Sequence, residues 1–201
     1  MMTPDRPLRS DAARNHELLL DAAEIEFEAK GPDVSVLDIV RRAGVAKGTF
    51  FRHFASKDDL IAAIVGKHIG ALIDVAEHLE GAEDAGAALL QFLTVASAQR
   101  EQYDVSFLLR AGESDDRVSG VRTRLYDSVS VLVDNARTAG AIRTDVTATD
   151  VILLMCAPNH VVEYLPSPAP DLWQRYLAII FDGLRPAGAH QLPVPAPNDA
   201  L

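Results

Sequence analysis

The chain has 201 residues, 48% of them hydrophobic and 24% charged, and a formal net charge of −10. That mix supports a buried core and excludes wholesale disorder, and the length fits one large domain or two small ones. A single cysteine, Cys156, excludes a disulfide framework and a cysteine-rich zinc module and agrees with a reducing cytoplasm, while −10 taken whole argues against a partner as acidic as nucleic acid.

In chain order, residues 1–10 hold charges and prolines without an apolar segment, so no signal peptide is expected. A helix is predicted from Asp11 to Lys30, with Leu18, Leu19, Ala22, Ala23, Ile25 and Phe27 as its apolar stripe and Gly31-Pro32 as its stop. Ser35 with Asp38 has capping-box spacing and opens a short helix with Val36, Ile39, Val40 and Ala43 inward, ended by Gly44. A still shorter helix, about Ala46 to His53, places Phe50 and Phe54 toward a core. Ser56 and Asp59 repeat the capping spacing before a helix running to about Leu79.

Further helices are predicted near 84–100, 103–112, 116–138, 148–165 and 169–184, with Thr147 and Asp150 as a third capping box. The tail from Pro186 is proline-rich and is expected to be disordered or extended. The longest apolar run, Val151–Ala157, is far too short to cross a bilayer. The fold class is therefore all-α with about nine helices. The expected domains are a helix-turn-helix three-helix domain (10–56), a connecting helix (57–80), a larger helical domain (81–185) and the tail (186–201).

The net charge is unevenly placed. Residues 1–70 hold 10 Lys+Arg against 11 Asp+Glu, net −1, whereas residues 71–201 hold 9 against 18, net −9. Within 34–57 five basic residues (Arg41, Arg42, Lys47, Arg52, Lys57) face one acid, Asp38. A basic cluster on an acidic chain is expected when one small face meets phosphate; the plain alternative is a solvated helix face. The stretch SVLDIVRRAGVAKGTFFRHFASK reads as two short helices around a glycine turn, the layout in which the second helix enters the major groove. Gly44 permits the left-handed stop, Val45 can plug the small core, Gly48 removes bulk, and Thr49 can meet a base edge or a phosphate.

RRAGVAKGTFFRHFASKDDLIAAIV, with LLDAAEIEFEAKG before it, resembles the DNA-binding domain of TetR-family transcriptional regulators over about residues 14–67. AGAIRTDVTATDV and RYLAIIFDGLRP resemble the family's later segments more loosely. The resemblance implies DNA contacts from Ser35, Lys47, Gly48, Thr49, Phe51, Arg52, His53 and Lys57. Position 51 often carries tyrosine in the family, and Phe51 lacks the hydroxyl that would bond phosphate. The resemblance also implies a homodimer through the helices near 148–165 and 169–184, a double-stranded DNA operator with palindromic half-sites, and release by a small-molecule effector. An alternative keeps DNA binding but gives the C-terminal domain to dimerisation or protein docking alone.

Phe92, Tyr103, Phe107, Tyr126, Met155, Asn159, His160 and Trp173 supply the mixture of apolar walls and few polar groups that suits an effector pocket; the plain reading of each is core. Cys156 and His160 are four apart, but two ligands do not close a metal site. No GxxxxGK[ST], HExxH or GxSxG occurs. No catalytic residue, cofactor, metal or membrane contact is expected.

Overall fold

The computed structural model describes residues 6–102, 116–187 and 189–197. These residues are helical with no strand among them, and the chain divides into two compact units. Of the described residues, the first comprises those up to Lys67 together with 116–118; the second comprises His68–Gln102 and those from Ser119 onward.

In the first unit, α1 (Arg6–Lys30) starts five residues before the expected Asp11. Pro7 falls in its first turn, where a missing N–H and a fixed φ suit a helix. Gly31, at φ 72°, ends it and leads into a single 3-10 turn, Gly31–Asp33. The buried stripe differs from the expected one. Leu19, Leu20, Ala22, Ala23 and Phe27 are buried, but Leu18 and Ile25 are exposed, and the acids Glu24 and Glu26 take buried places. Buried carboxylates persist only with charge partners. Glu26 has Lys30 Nζ at 2.6 Å and Arg42 Nε at 2.5 Å, and Glu24 has Lys67 Nζ at 4.0 Å. Both glutamates lie within reach of a cation that the apolar pattern alone does not register.

Next come α2 (Val36–Ala43), α3 (Lys47–His53) and α4 (Lys57–Leu79). Helix α1 packs on α2 and α3, and α2 packs on α3. Phe27, Phe50, Leu19, Ile39, Leu60 and Ile64 are the largest fully buried side chains of this unit. Each contributes about 1.5–3 kcal/mol by leaving water, which is what orders helices too short to persist alone.

In the second unit, α5 (Ala85–Gln102), α6 (Asp116–Thr138, from Ser119 on), α7 (Ala148–Leu154), α8 (Ala157–Val162) and α9 (Leu172–Leu184) follow the end of α4. The helix expected near 103–112 lies outside the described residues. The continuous helix expected over 148–165 is two helices. Pro158 lacks an N–H, and its ring crowds the carbonyl four residues back, that of Leu154, which is where α7 stops. Met155 and Cys156 keep right-handed helical dihedrals, so the joint is a proline break and not a left-handed turn. Helix α9 packs on α8 and α5. Beyond it the described residues of the tail, through 197, form no regular element. It is anchored by Arg143, whose guanidinium donates to both carboxylate oxygens of Asp145 (2.6 and 2.8 Å) and to the His190 carbonyl.

Candidate nucleic-acid interface

The interface is built from α2, α3 and the joint between them. Ser35 caps α2: its hydroxyl accepts from the Asp38 N–H (3.2 Å) and donates to Asp38 Oδ2 (2.6 Å), and its own N–H faces the same carboxylate (3.4 Å). Both donors of Ser35 are thus directed at Asp38, which makes it a helix cap; a donated bond to phosphate would require opening the box. These bonds hold the Asp38 carboxyl below its ordinary range, Ser35 first and Lys30 after it.

Gly44 ends α2 at φ 68°, ψ 26°. An L side chain there would strain the backbone, although an added Cβ would meet no atom within 4 Å. The Gly44 N–H donates to the Arg41 carbonyl and the Val45 N–H to Val40, closing the turn. Ala46, extended, then starts α3. Phe50 is fully buried and Phe54 nearly so, their ring centroids 5.7 Å apart. These two anchors bury one side of α3 and leave Lys47, Gly48, Phe51 and Arg52 on the exposed side.

That exposed side has a specific chemistry. Phe51 is 50% exposed, and the Lys47 ammonium stands 5.8 Å from its ring centroid. A Cβ on Gly48 would meet no atom of the protein within 4 Å, so nothing inside the chain calls for glycine at that helical position. Thr49 is half-buried and its N–H bonds the Ala46 carbonyl at 2.8 Å. His53 is half-buried; its ring lies 5.9 Å from that of His16 and its Nε2 is buried without a hydrogen-bond partner. Burial, then the nearby His16 and Arg52, push the His53 imidazole below its ordinary pKa. Lys57 opens α4 and donates to the Val34 carbonyl at 3.3 Å. Asp59 N–H bonds Ser56 Oγ at 3.0 Å, while the Asp59 carboxylate takes Arg117 at 2.6 Å and is thereby held low in pKa.

Charge pairing inside the cluster escaped the sequence reading. Arg42 is tied to Glu26, a residue outside the 34–57 window. Lys30 is shared by Glu26 and Asp38. The Glu26–Lys30 spacing of four was the available signal. Arg41, Lys47 and Arg52 are the exposed cations of α2 and α3 outside that network. Leu37, 54% exposed on α2, is a further apolar side chain on this head.

The described residues of the expected effector pocket differ in exposure. Phe92 and Trp173 are buried core. Asn159 is buried and donates to the Ser97 carbonyl at 2.7 Å, and Ser97 Oγ donates to the Met155 carbonyl at 3.3 Å, so these two residues stitch α5 to the α7–α8 joint. His160 is exposed, 3.0 Å from Glu163 and edge-on to Tyr164. Tyr126 is half-buried. Tyr103 and Phe107 lie outside the described residues. Of the set, Trp173 lines an open groove of about 320 Å³ between α5 and α9, with Leu90, Thr94, Leu177, Phe181 and Arg185. A different surface stands out on the neighbouring elements: Leu153, Val161, Tyr164, Leu165 and Ile179 are all large, apolar and 42–79% exposed. Among the described residues no group of three or more His, Cys, Asp or Glu could hold a metal, and no helix is long and apolar enough to cross a membrane.

Residues 19–64 match the bacterial regulatory proteins of the tetR family, and residues 84–186 match the C-terminal domain of SbtR-like transcriptional regulators. An uncharacterised HTH-type transcriptional regulator of Bacillus subtilis, YvdT, is 41% identical over 71 residues, 34% of this chain and 37% of that protein. The chain thus aligns with little more than a third of that curated relative. A TetR transcription regulatory protein from Mycobacterium vanbaalenii is 30% identical, with 89% of this chain and 99% of that one covered at a TM-score of 0.64. The fold is also that of the Bacillus subtilis transcriptional regulator FadR, crystallised in complex with stearoyl-CoA (16% identity; 85% of this chain and 100% of that one; TM-score 0.67).

Proposed function

From a chain that belongs to the TetR family of bacterial transcriptional regulators, we propose a homodimeric repressor that binds a palindromic operator through α3 of each subunit and leaves it on binding a small-molecule effector. The family is one of DNA-binding regulators and not of enzymes. The observation that carries the reading is the exposed side of α3, where Lys47, Gly48, Phe51 and Arg52 stand on a helix pinned from behind by Phe50 and Phe54. Thr49 and His53 flank that side, Lys57 approaches phosphate from the first turn of α4, and Ser35 enters the set as the cap of α2.

The dimer is supported by the exposed apolar side chains Leu153, Val161, Tyr164, Leu165 and Ile179, since an apolar set of this kind on a folded chain marks a covered surface. Two-fold pairing doubles the DNA contact of a head too small to specify a site by itself. An effector is supported by the groove between α5 and α9, which has the size of a small-ligand site, and by a shared fold that holds stearoyl-CoA in FadR. The effector acts only by binding the DNA-competent and DNA-incompetent states unequally. Footprinting of the DNA flanking the gene tests the proposal. Protection of an inverted repeat with half-sites one or more helical turns apart is expected; no protection at low salt overturns it.

A further inference from the structure

We propose that the Lys47–Phe51 pair reads a thymine, with the Phe51 ring packed on the 5-methyl group and the Lys47 ammonium donating to O4. This rests on the operator-binding reading above and names the base that α3 selects.

Three observations on α3 carry it. First, Phe51 is half-exposed on an otherwise polar face, held edge-on to the buried Phe50 at 5.2 Å. A phenyl ring neither donates nor accepts a conventional hydrogen bond, so what it can recognise in a groove is apolar. In the major groove the thymine methyl is the apolar group that a base edge presents. Second, the Lys47 ammonium stands 5.8 Å from the Phe51 ring centroid, one helical turn before it. Lysine only donates, so its partner on a base edge must be an acceptor. Third, Gly48, between them in sequence and exposed, leaves open space where a side chain would stand. A base edge can therefore approach the backbone beside the pair.

A donor next to an apolar ring requires an acceptor next to a methyl. Thymine places its O4 acceptor and its C5 methyl on adjacent ring atoms. Cytosine presents an amino donor toward the lysine, guanine presents two acceptors without a methyl, and adenine an acceptor and a donor without a methyl. The pair is complementary to thymine and mismatched to the other three.

The test uses the full wild-type chain and the sequence preference it selects for itself. Binding sites are first selected by the wild-type chain from a library of random-sequence duplexes. Each thymine of the selected half-site is then replaced singly by uracil, which keeps O4 and loses the methyl, or by 5-methylcytosine paired with guanine, which keeps the methyl and replaces O4 by an amino group. At one thymine position, uracil should weaken binding about fourfold per half-site, the value of one buried methyl group, and 5-methylcytosine should weaken it as well. The uracil penalty should vanish in F51A. If every thymine tolerates uracil without loss, or if F51A keeps the full uracil penalty, the assignment is overturned. The uracil measurement needs no variant, so it decides the question even where F51A folds poorly. Failure to enrich any sequence overturns the operator-binding reading itself; enrichment of a site indifferent to uracil overturns only the thymine assignment.

Discussion

Residues 35–57 and residues 147–184 begin alike. Each opens on a complete capping box, Ser35 with Asp38 and Thr147 with Asp150, and each runs through two short helices around a tight joint. They then diverge at the joint and at the surface. In the first, Gly44 adopts a left-handed conformation and the chain turns sharply into α3. In the second, the backbone stays right-handed through Met155 and Cys156, and Pro158 alone interrupts the ladder. The first presents cations and one aromatic ring, the second a set of bare aliphatic side chains and a tyrosine. The same local rules of starting and stopping a helix thus leave exposed cations in one place and exposed apolar side chains in another. What each surface meets depends on what is left outside after the anchors are buried.

The comparison breaks most severely at the anchors. Phe50→Ala removes a fully buried ring from behind α3 and should destabilise the head by about 3–5 kcal/mol, read in denaturant unfolding, with DNA retention lost in parallel. A change on the apolar surface should act differently. Ile179→Glu replaces a 54% exposed side chain and should leave the folded subunit within about 0.5 kcal/mol of the parent while shifting the proposed dimer toward monomer in sedimentation velocity. A dimer that persists unchanged would remove that residue from the covered surface.

Gly48→Ala should separate folding from recognition. The added Cβ meets nothing inside the protein, and alanine is the better helix former by up to about 1 kcal/mol, so thermal stability should hold or rise. DNA affinity should fall, because the open space proposed for a base edge is filled. Equal affinity for both chains would show that the approach beside α3 is not that close.

The smallest expected effect is on pH. The folded-state pKa of His53 is depressed by burial and by His16 and Arg52, so the unfolded chain binds a proton more readily than the folded one. Stability from this group is therefore present above the ordinary histidine value, near 6.5, and is lost as pH falls through the lower folded value. Unfolding midpoints should decline on going from pH 7 to pH 5, and His53→Gln should flatten that decline. A decline of the same slope in the variant would place the titration elsewhere.

Much of the reading head was legible along the chain because its determinants are local. A capping box, a glycine stop and aromatic residues four apart are each set by neighbours within one or two turns, and together they define α2, the turn and α3. The family resemblance lay in the same stretch. The second unit was less legible. The proline that divides 148–165 into α7 and α8 stands in plain view at position 158, but the apolar run before it outweighed it in a reading by periodicity. Residue type suggests pocket side chains but does not state direction: Asn159 turns inward to the Ser97 carbonyl while His160, its neighbour, is exposed.

By itself the amino-acid sequence determined the all-helical class, the helix-turn-helix, its turn at Gly44 and the separation of acid from base along the chain. Tertiary structure decided which charges pair and which apolar groups stay outside. Glu26 is a surface residue by type, yet packing of α1 on α2 buries it against Lys30 and Arg42, removing Arg42 from the cations that the head displays. Ile25, the neighbour of Glu26 and apolar by type, is left exposed by the same rotation of α1. The reason is physical: helix formation depends on residues a few positions apart, whereas burial and charge pairing depend on a face that another helix chooses.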